Sequence, residues 1–250
     1  MSELVLDGIC VERGGRAVVK DVTITVPAGQ VTALLGPNGA GKSSLVLAIG
    51  GVLRPRPGSV SLDGSELAGK RPEKIRAAGV AIVPEGRRLL PDLTVDDNIR
   101  VATYALSAPA ATAGRARALE LFPALEKRLN VPARSLSGGE QQMVVLAQAL
   151  VSQPKFLLID ELSLGLAPVI VQGLLPVLRR IARERGMAVL LVEQHTPMAL
   201  SVADRVYVMR RGRIALDAAA ADLRADSDLL EASYLGERLA GVATNGGRRG

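Results

Sequence analysis

Eight residues, Gly36 to Ser43, constrain this chain more than any other stretch, because they form a glycine-rich turn between an apolar run and a helix-like segment. The run before the turn, Val31 to Leu35, is short and continuously apolar, as in a buried strand. The segment after it, Ser43 to Ile49, has helical character and is followed by Gly50-Gly51, a pair typical of a helix end. A strand, a tight turn and a helix in this order predict an α/β fold.

The other apolar segments extend this pattern. Three further runs are short and apolar enough for buried strands, and they are far enough apart for the crossover helices of a parallel sheet: Val80 to Val83, Phe156 to Ile159 and Ala188 to Val192. Two pairs of segments with glycine between them predict antiparallel hairpins: Leu4 to Val11 with Val18 to Val26, and Val206 to Met209 with Arg213 to Leu216. The first hairpin predicts an N-terminal antiparallel β subdomain beside a core with a parallel sheet.

Helical segments fill most of the remaining chain. Arg87 to Gln153 has helical character, interrupted by the small residues Ser107 to Gly114 and by Pro123, and it predicts an inserted α-helical subdomain at about residues 87–153. Ala218 to Leu239 also predicts a helix. We expect one domain over residues 1–241, and a disordered tail over residues 242–250, which are rich in glycine and arginine.

Composition limits the setting and the partners. A single cysteine, Cys10, and the lack of a basic-then-apolar opening segment favour a reduced, cytoplasmic environment. The longest apolar runs are far shorter than the roughly 18 residues that span a bilayer, so we expect any membrane role to act through partners. The net charge of +6 comes from scattered arginines, and the chain has only three tyrosines and two phenylalanines. We therefore expect no nucleic acid partner.

The glycine-rich turn has the spacing of a phosphate-binding loop, G-x-x-x-x-G-K-[ST]. In such a loop the backbone N–H groups and the helix dipole attract phosphate oxygens, the lysine reaches the terminal phosphates and the hydroxyl binds Mg²⁺. A glycine turn that carries a lysine by chance is the alternative, and the strand-loop-helix context favours the nucleotide. The loop predicts a bound nucleotide with Mg²⁺, and these nucleotide contacts, which the resemblance described below assigns to ATP: Gly36, Pro37, Asn38, Gly39, Ala40, Gly41, Lys42, Ser43 and Ser44.

A second segment, Phe156 to Glu161, is an apolar strand that ends in two acids. Alone it is equally typical of a buried strand that runs into a polar turn. Paired with the phosphate loop, it predicts a Walker B segment, in which Asp160 joins Ser43 in holding Mg²⁺ and Glu161 orients or deprotonates the attacking water.

The segment Leu136 to Gln142 resembles the signature motif of ABC ATPases, and it lies between the two Walker segments, as in that family. Its Ser137-x-x-Glu140 spacing is also a capping box, which any helix can carry. The two interpretations agree, because a capped helix that begins with glycines is an anion site. In the family this helix end closes on the γ-phosphate held by the opposite subunit, and the resemblance assigns that role to Ser137, Gly138, Gly139 and Glu140.

Four other segments narrow the resemblance to the ATPase subunits of branched-chain amino acid importers and their amide or urea relatives. They match the Q-loop region, the D-loop, the switch region and a late motif of that group: Val83 to Arg88, Ser163 to Pro168, Val192 to Gln194 and Ser233 to Gly236. The resemblance implies a peripheral protein on the cytoplasmic face of the membrane that hydrolyses ATP to drive import. Its implied partners are a second ATPase subunit, identical or related, transmembrane permease subunits and, indirectly, an extracytoplasmic solute-binding protein.

Three departures from the general family pattern fall at positions with a role in the nucleotide site. Glu85 stands where a glutamine usually senses the metal, and Gln194 stands where a histidine usually contacts the γ-phosphate. Gln194 can donate a hydrogen bond but cannot carry a proton. His195, which follows it, is interpreted as a surface or capping residue, and a catalytic histidine is the alternative. Arg13 stands where an aromatic ring usually stacks on adenine. A guanidinium plane can stack there too, and a solvated arginine is the alternative.

The resemblance also implies a membrane-partner surface, formed by the helical subdomain and by Glu85 to Leu90, with Leu89 and Leu90 as exposed anchors. Two other functions stay open. One is a soluble ABC ATPase that acts on DNA or ribosomes, which sustained heptads or a second phosphate loop would favour, and the chain has neither. The other is a degenerate subunit that binds ATP without hydrolysing it, which Glu85 and Gln194 leave possible although Lys42, Asp160 and Glu161 are intact.

Overall fold

The apolar run Val31–Leu35 is the central strand of the protein and is buried along its whole length. The computed structural model describes residues 3–226, 228 and 229. Its strands are β1 (Glu3–Arg13), β2 (Arg16–Pro27), β3 (Val31–Leu35), β4 (Ser59–Leu62), β5 (Ser65–Glu66), β6 (Val80–Val83), β7 (Phe156–Asp160), β8 (Ala188–Glu193), β9 (Arg205–Arg210) and β10 (Arg213–Ala219). Its α-helices are α1 (Lys42–Ile49), α2 (Pro72–Ala77), α3 (Val95–Val101), α4 (Ala108–Leu121), α5 (Gly138–Leu150), α6 (Pro168–Arg185), α7 (Thr196–Val202) and α8 (Ala220–Ala225), and 3₁₀ turns cover Pro123–Arg128 and Ala133–Ser135.

The larger sheet has six strands in the order β10-β9-β3-β8-β7-β6. Strands β9, β3, β8, β7 and β6 run parallel to their neighbours, and β10 pairs antiparallel with β9. This confirms the predicted parallel sheet and the final hairpin. Since the carboxyl ends of parallel strands lie at one edge of a sheet, the segments that follow β3, β7 and β8 are brought close together.

The smaller sheet is antiparallel, with the order β2-β1-β4-β5. It confirms the predicted N-terminal β subdomain, whose first hairpin turns at Gly14-Gly15 between Arg13 and Arg16. The short strands β4 and β5 were not predicted, because four and two residues carry too little alternation to be distinguished from a loop.

Strand β3 separates two hydrophobic cores. Val31, Ala33 and Leu35 face a core that includes side chains of α3, α4, α5 and α6. Leu34 faces the other core, which includes α1 and the antiparallel sheet. This alternation follows from the two-residue period of a strand, and it holds the carboxyl end of β3 rigidly between two layers.

The small residues Ser107 to Gly114 do not interrupt the helical region, which corrects the sequence prediction. Helix α4 runs through them as far as Leu121, with Ser107 as its N-cap residue in extended conformation and Pro109 in its first turn. Four alanines in its first six residues have the highest helix propensity, and proline is favoured at a helix start. The predicted break at Pro123 is confirmed, because a 3₁₀ turn begins there.

The predicted helix over Ala218 to Leu239 is also wrong at its start. Ala218 and Ala219 continue strand β10 and pair with Val206 and Arg205, so the helix begins at Ala220 and ends at Ala225. Strand pairing overrides the helix preference of alanine at this position. The motif Ser233 to Gly236 and the tail over residues 242–250 lie outside the described residues, and the domain boundaries stay a prediction.

No helix in the described part of the chain is long and apolar enough to cross a membrane.

Candidate nucleotide-binding and hydrolysis site

The phosphate loop leaves the buried end of β3 and turns into α1, as predicted. Its backbone is packed against the two hairpins: a Cβ on Gly36 would overlap the carbonyl oxygen of Met209, and a Cβ on Gly41 would lie 2.6 Å from the carbonyl oxygen of Val18. Gly41 also has φ of +113°, which favours glycine. The loop therefore needs glycine at both ends, and its backbone N–H groups are held in place by the surrounding strands.

Lys42 is buried, and its Nζ donates hydrogen bonds to the carbonyl oxygens of Gly36 at 2.6 Å and Pro37 at 3.3 Å. Burial lowers the pKa of Lys42, and the charges of Glu161, Asp160 and Glu193 oppose this shift. A cation that is held beside the loop and has few other partners can turn to the phosphate oxygens of a bound nucleotide.

Asp160, at the end of β7, is buried, and its pKa is raised to about 6 by burial and by the nearby charges of Glu161 and Glu85. Lys42 opposes this shift. The carboxylates of Glu161, Glu85 and Glu193 thus lie close enough to repel the charge of Asp160 beside the phosphate loop. A divalent cation would relieve this repulsion.

We expect Asp160→Asn to stabilise the nucleotide-free protein at pH 7 by about 1–2 kcal/mol, after allowance for solvent screening. The folded state binds the Asp160 proton more tightly than the unfolded chain does, because the pKa rises from 3.8 to about 6. The ionised carboxylate therefore costs stability above pH 6, and this cost fades as the pH falls towards 4. Urea unfolding at pH 7 and pH 4.5 measures the effect, with the exposed Asp7→Asn as control. An equal gain at both pH values would contradict the assignment.

Glu161 follows β7 with a φ of +53°, and its carboxylate Oε1 accepts a hydrogen bond from the side-chain Nε2 of Gln194. Gln194 comes directly after β8, so the contact joins the ends of two neighbouring strands. The amide of Gln194 thus donates to the Glu161 carboxylate, and its contact with a γ-phosphate stays a prediction. His195 is exposed and makes no side-chain cap bond to α7.

Glu193 was not predicted as a functional residue, although it lies in the switch region. It is only 1% exposed, and its carboxylate accepts hydrogen bonds from the backbone N–H and hydroxyl of Ser163, both at 3.0 Å. Burial raises the pKa of Glu193, and the bonds from Ser163 oppose the shift. The sequence feature that could have identified Glu193 is an acidic residue at the end of a buried apolar strand. The same feature identified Asp160.

The signature residues form the predicted capping box at the start of α5. Ser137 Oγ accepts from the Glu140 N–H at 3.3 Å, and Glu140 Oε2 accepts from the Ser137 N–H at 2.8 Å. Arg128 Nε donates to Glu140 Oε1 at 2.8 Å. The backbone bond from Ser137 is the main cause of the lowered pKa of Glu140. A Cβ on Gly139 would lie 2.7 Å from the side chain of Ile170, so α5 packs tightly against the start of α6.

The structure brings together part of the predicted site. Lys42, Asp160, Glu161 and Glu85 interact electrostatically, and Gln194 joins them through its bond to Glu161. Ser43, in the first turn of α1, is exposed, and Ser44 is buried. Arg13 is exposed at the end of β1, beside the hairpin turn, and its stacking role stays a prediction.

Comparison with known proteins agrees with this geometry. The family model described as "ABC transporter" matches residues 19–163. The high-affinity branched-chain amino acid transport ATP-binding protein BraG of Pseudomonas aeruginosa is 39% identical over 93% of this chain and 99% of its own length. The probable branched-chain amino acid transport ATP-binding protein LivF of Archaeoglobus fulgidus is 32% identical over 82% of this chain and 87% of its own length.

Among solved structures, the ADP conformation of an ATP-binding cassette of an ABC transporter is similar, with a TM-score of 0.83 and 25% identity. The match covers 95% of this chain and 100% of that chain. The family match, the near full-length relatives and the shared architecture lead to one conclusion. The chain belongs to the ABC transporter family, as an ATP-binding subunit that hydrolyses ATP to drive transport.

Proposed function

We propose that this chain energises an importer for branched-chain amino acids or related small solutes. The observation that carries the proposal is the convergence of Lys42, Asp160 and Glu161 beside a phosphate loop, with Gln194 bonded to Glu161. These are the parts that ATP hydrolysis requires: a cation for the phosphates, an acid for the metal and a base for water. The similarity to BraG over nearly the whole chain supports the choice of solute.

The residues of the phosphate loop fit ATP and Mg²⁺. The loop would hold the phosphates through its backbone N–H groups, with Lys42 on the terminal oxygens. Ser43 and Asp160 would hold Mg²⁺, with Glu85 nearby. Within residues 3–226, 228 and 229, no group of three or more His, Cys, Asp or Glu side chains could hold a metal alone. This fits a nucleotide-bound Mg²⁺, which takes one or two protein ligands and completes its shell with phosphate oxygens and water.

Glu161 would accept the proton of the attacking water. Its carboxylate is held on one oxygen by the Gln194 amide, which leaves the other oxygen for the water. Because glutamine has no titratable group near neutral pH, Gln194 orients Glu161 without exchanging a proton with it. The Glu161–Gln194 pair therefore supports Glu161 as a base that is positioned by a neutral side chain. Gln194 takes the place of the histidine that is usual in the family.

A second ATPase subunit, identical or related, would complete the site. Ser137, Gly138, Gly139 and Glu140 form the N-terminal end of α5, where free N–H groups and the helix dipole favour an anion. Within this subunit, Gly138 lies beside Arg87 and Leu166, and Gly139 lies beside Ile170. We infer that this helix end binds the γ-phosphate of the ATP held by the other subunit, so that ATP closes the dimer.

A groove between the central sheet and the helical region would receive a permease subunit. The groove has a volume of about 410 Å³, and its lining includes Ile75, Arg76, Arg88, Val101 and Tyr104. The Arg76 guanidinium lies 5.2 Å from the centre of the Tyr104 ring. Val101 and Tyr104 are exposed apolar side chains at the edge of this groove, as expected of a docking surface.

The predicted anchors Leu89 and Leu90 differ in their exposure. Leu90 is 45% exposed and can contact a partner, whereas Leu89 is partly buried against the core. Leu89 is therefore not an exposed anchor. Docking on this surface would place the chain on the cytoplasmic face of the membrane, with a solute-binding protein acting from the other side.

We expect Leu90→Asp to lower uptake of labelled leucine, isoleucine and valine at least about tenfold in cells that depend on this chain, because a charge in an apolar contact is costly. The variant should also fail to co-purify with permease subunits from membranes. Ala215→Asp, an exposed position on β10 outside the helical subdomain, should leave uptake unchanged. Normal uptake in the Leu90 variant would contradict the proposal that this surface binds the permease. Normal uptake in cells without the chain would contradict the proposal that the transported solutes are branched-chain amino acids.

A further inference from the structure

Arg87 joins two loops that are far apart in the sequence. Its Nη2 donates hydrogen bonds to the carbonyl oxygens of Leu164 and Gly165, both at 2.9 Å. Arg87 has a φ of +42°, a conformation that non-glycine residues rarely adopt and that persists only where the surroundings hold it. One guanidinium nitrogen thus binds two consecutive carbonyl oxygens of the D-loop, those of Leu164 and Gly165.

The same guanidinium lies against the start of the signature helix. A Cβ added to Gly138 would lie 3.0 Å from Nη1 of Arg87 and 3.3 Å from Cδ2 of Leu166. Gly138 therefore leaves the room that the guanidinium occupies. Arg87 contacts the D-loop and the signature helix at once, in the part of the subunit where the second subunit is inferred to bind.

The D-loop is held from a second direction by Glu193. The buried Glu193 carboxylate binds Ser163 through its backbone N–H and its hydroxyl. Glu193 belongs to β8 in the middle of the central sheet, whereas Arg87 belongs to the loop segment Glu85 to Leu90, in which Arg87 and Leu89 are partly buried and the other residues are exposed. The contact from Glu193 is therefore fixed to the rigid sheet, and the contact from Arg87 depends on where this loop segment lies.

The residue after Arg87 reaches the groove that is proposed for the permease, because Arg88 is part of its lining. Arg87 and Arg88 are adjacent in the chain, so a shift of the segment on permease binding would move both side chains together.

We propose that Arg87 is a positioning residue. It holds the D-loop turn and the start of α5, the signature helix, in place, and it shifts them when a permease subunit occupies the groove. The inference rests on the proposed function. The guanidinium suits this task, because its rigid, planar set of donors holds two acceptors in a fixed geometry. A lysine ammonium at this position has no such planar set of donors, so Arg87→Lys should position the turn less well.

The test compares ATP hydrolysis by the isolated full-length subunit and by its co-purified membrane complex. We expect Arg87→Ala to lower the ratio of the complex rate to the isolated rate about tenfold, as for the loss of about 1.4 kcal/mol of charge-assisted hydrogen bonding. The KM for ATP should change less than twofold, since the hydrogen bonds of Arg87 go to the D-loop and not to the phosphate loop. Arg87→Lys should recover part of the ratio, and Arg180→Ala, an exposed arginine on α6, should leave it unchanged.

Two results would overturn the proposal: an unchanged ratio in Arg87→Ala, or equal losses of rate in the isolated subunit and in the complex. The second result would show that Arg87 only stabilises the fold, and a matching drop in Tm would accompany it. Different results would contradict the proposed function itself. In that case the parent complex hydrolyses no ATP, or Glu161→Gln hydrolyses it at the parent rate, and neither result depends on the Arg87 variants.

Discussion

Replacing Glu161 with glutamine is expected to lower kcat for ATP hydrolysis by about 10²- to 10⁴-fold, the contribution of a positioned general base. The substitution keeps the shape of the side chain and an oxygen that can accept the bond from Gln194. It removes the group that takes the proton from water. ATP binding should persist, because the phosphate contacts belong to the loop and to Lys42.

Steady-state phosphate release by the purified protein, alone and with its membrane complex, measures this effect. Nucleotide binding is followed separately, with a fluorescent ATP analogue. Glu184→Gln, an exposed position near the end of α6, is the matched control and should keep the parent rate. If Glu161→Gln turns over ATP as fast as the parent, Glu161 is not the base, and the degenerate-subunit interpretation gains support.

Replacing Lys42 with methionine is expected to weaken ATP binding by about 10- to 100-fold, the equivalent of one lost charge-assisted contact. The change also removes the positive charge that opposes the raised pKa of Asp160. Asp160 should therefore bind its proton more tightly still, which weakens the site for Mg²⁺ at neutral pH. Both effects act against MgATP.

Isothermal titration with MgATP at pH 7 and pH 8.5 separates these effects. Lys74→Met, on the exposed side of α2, is the control and should bind like the parent. Part of the loss in Lys42→Met should be recovered at pH 8.5, where Asp160 is ionised again. If the variant binds MgATP as tightly as the parent, the expected role of Lys42 is wrong. In the parent, Lys42 would then keep its bonds to the carbonyl oxygens of Gly36 and Pro37 when ATP is bound, without contacting the phosphates.

Several elements could be predicted because their signals are local. The central strands are continuous apolar runs, and the start of α5 is a capping box that the structure reproduces. The wrong predictions of secondary structure have two causes. Strand pairing between distant residues overrode a helix preference in one case, and a local helix preference was overlooked in the other. Ala218 and Ala219 follow β9 into the sheet instead of starting a helix, and Ser107 begins a helix where small residues predicted a break.

The chemistry of phosphate binding was determined by the sequence itself. It depends on consecutive backbone N–H groups, one lysine and one hydroxyl, so eight adjacent residues contain all of it. The contacts around the reaction were decided by the tertiary structure. Gln194 and Glu161 are 33 residues apart, and Arg87 and Leu164 are 77 residues apart. They meet because the parallel sheet brings the ends of β6, β7 and β8 to one edge, which no local pattern encodes.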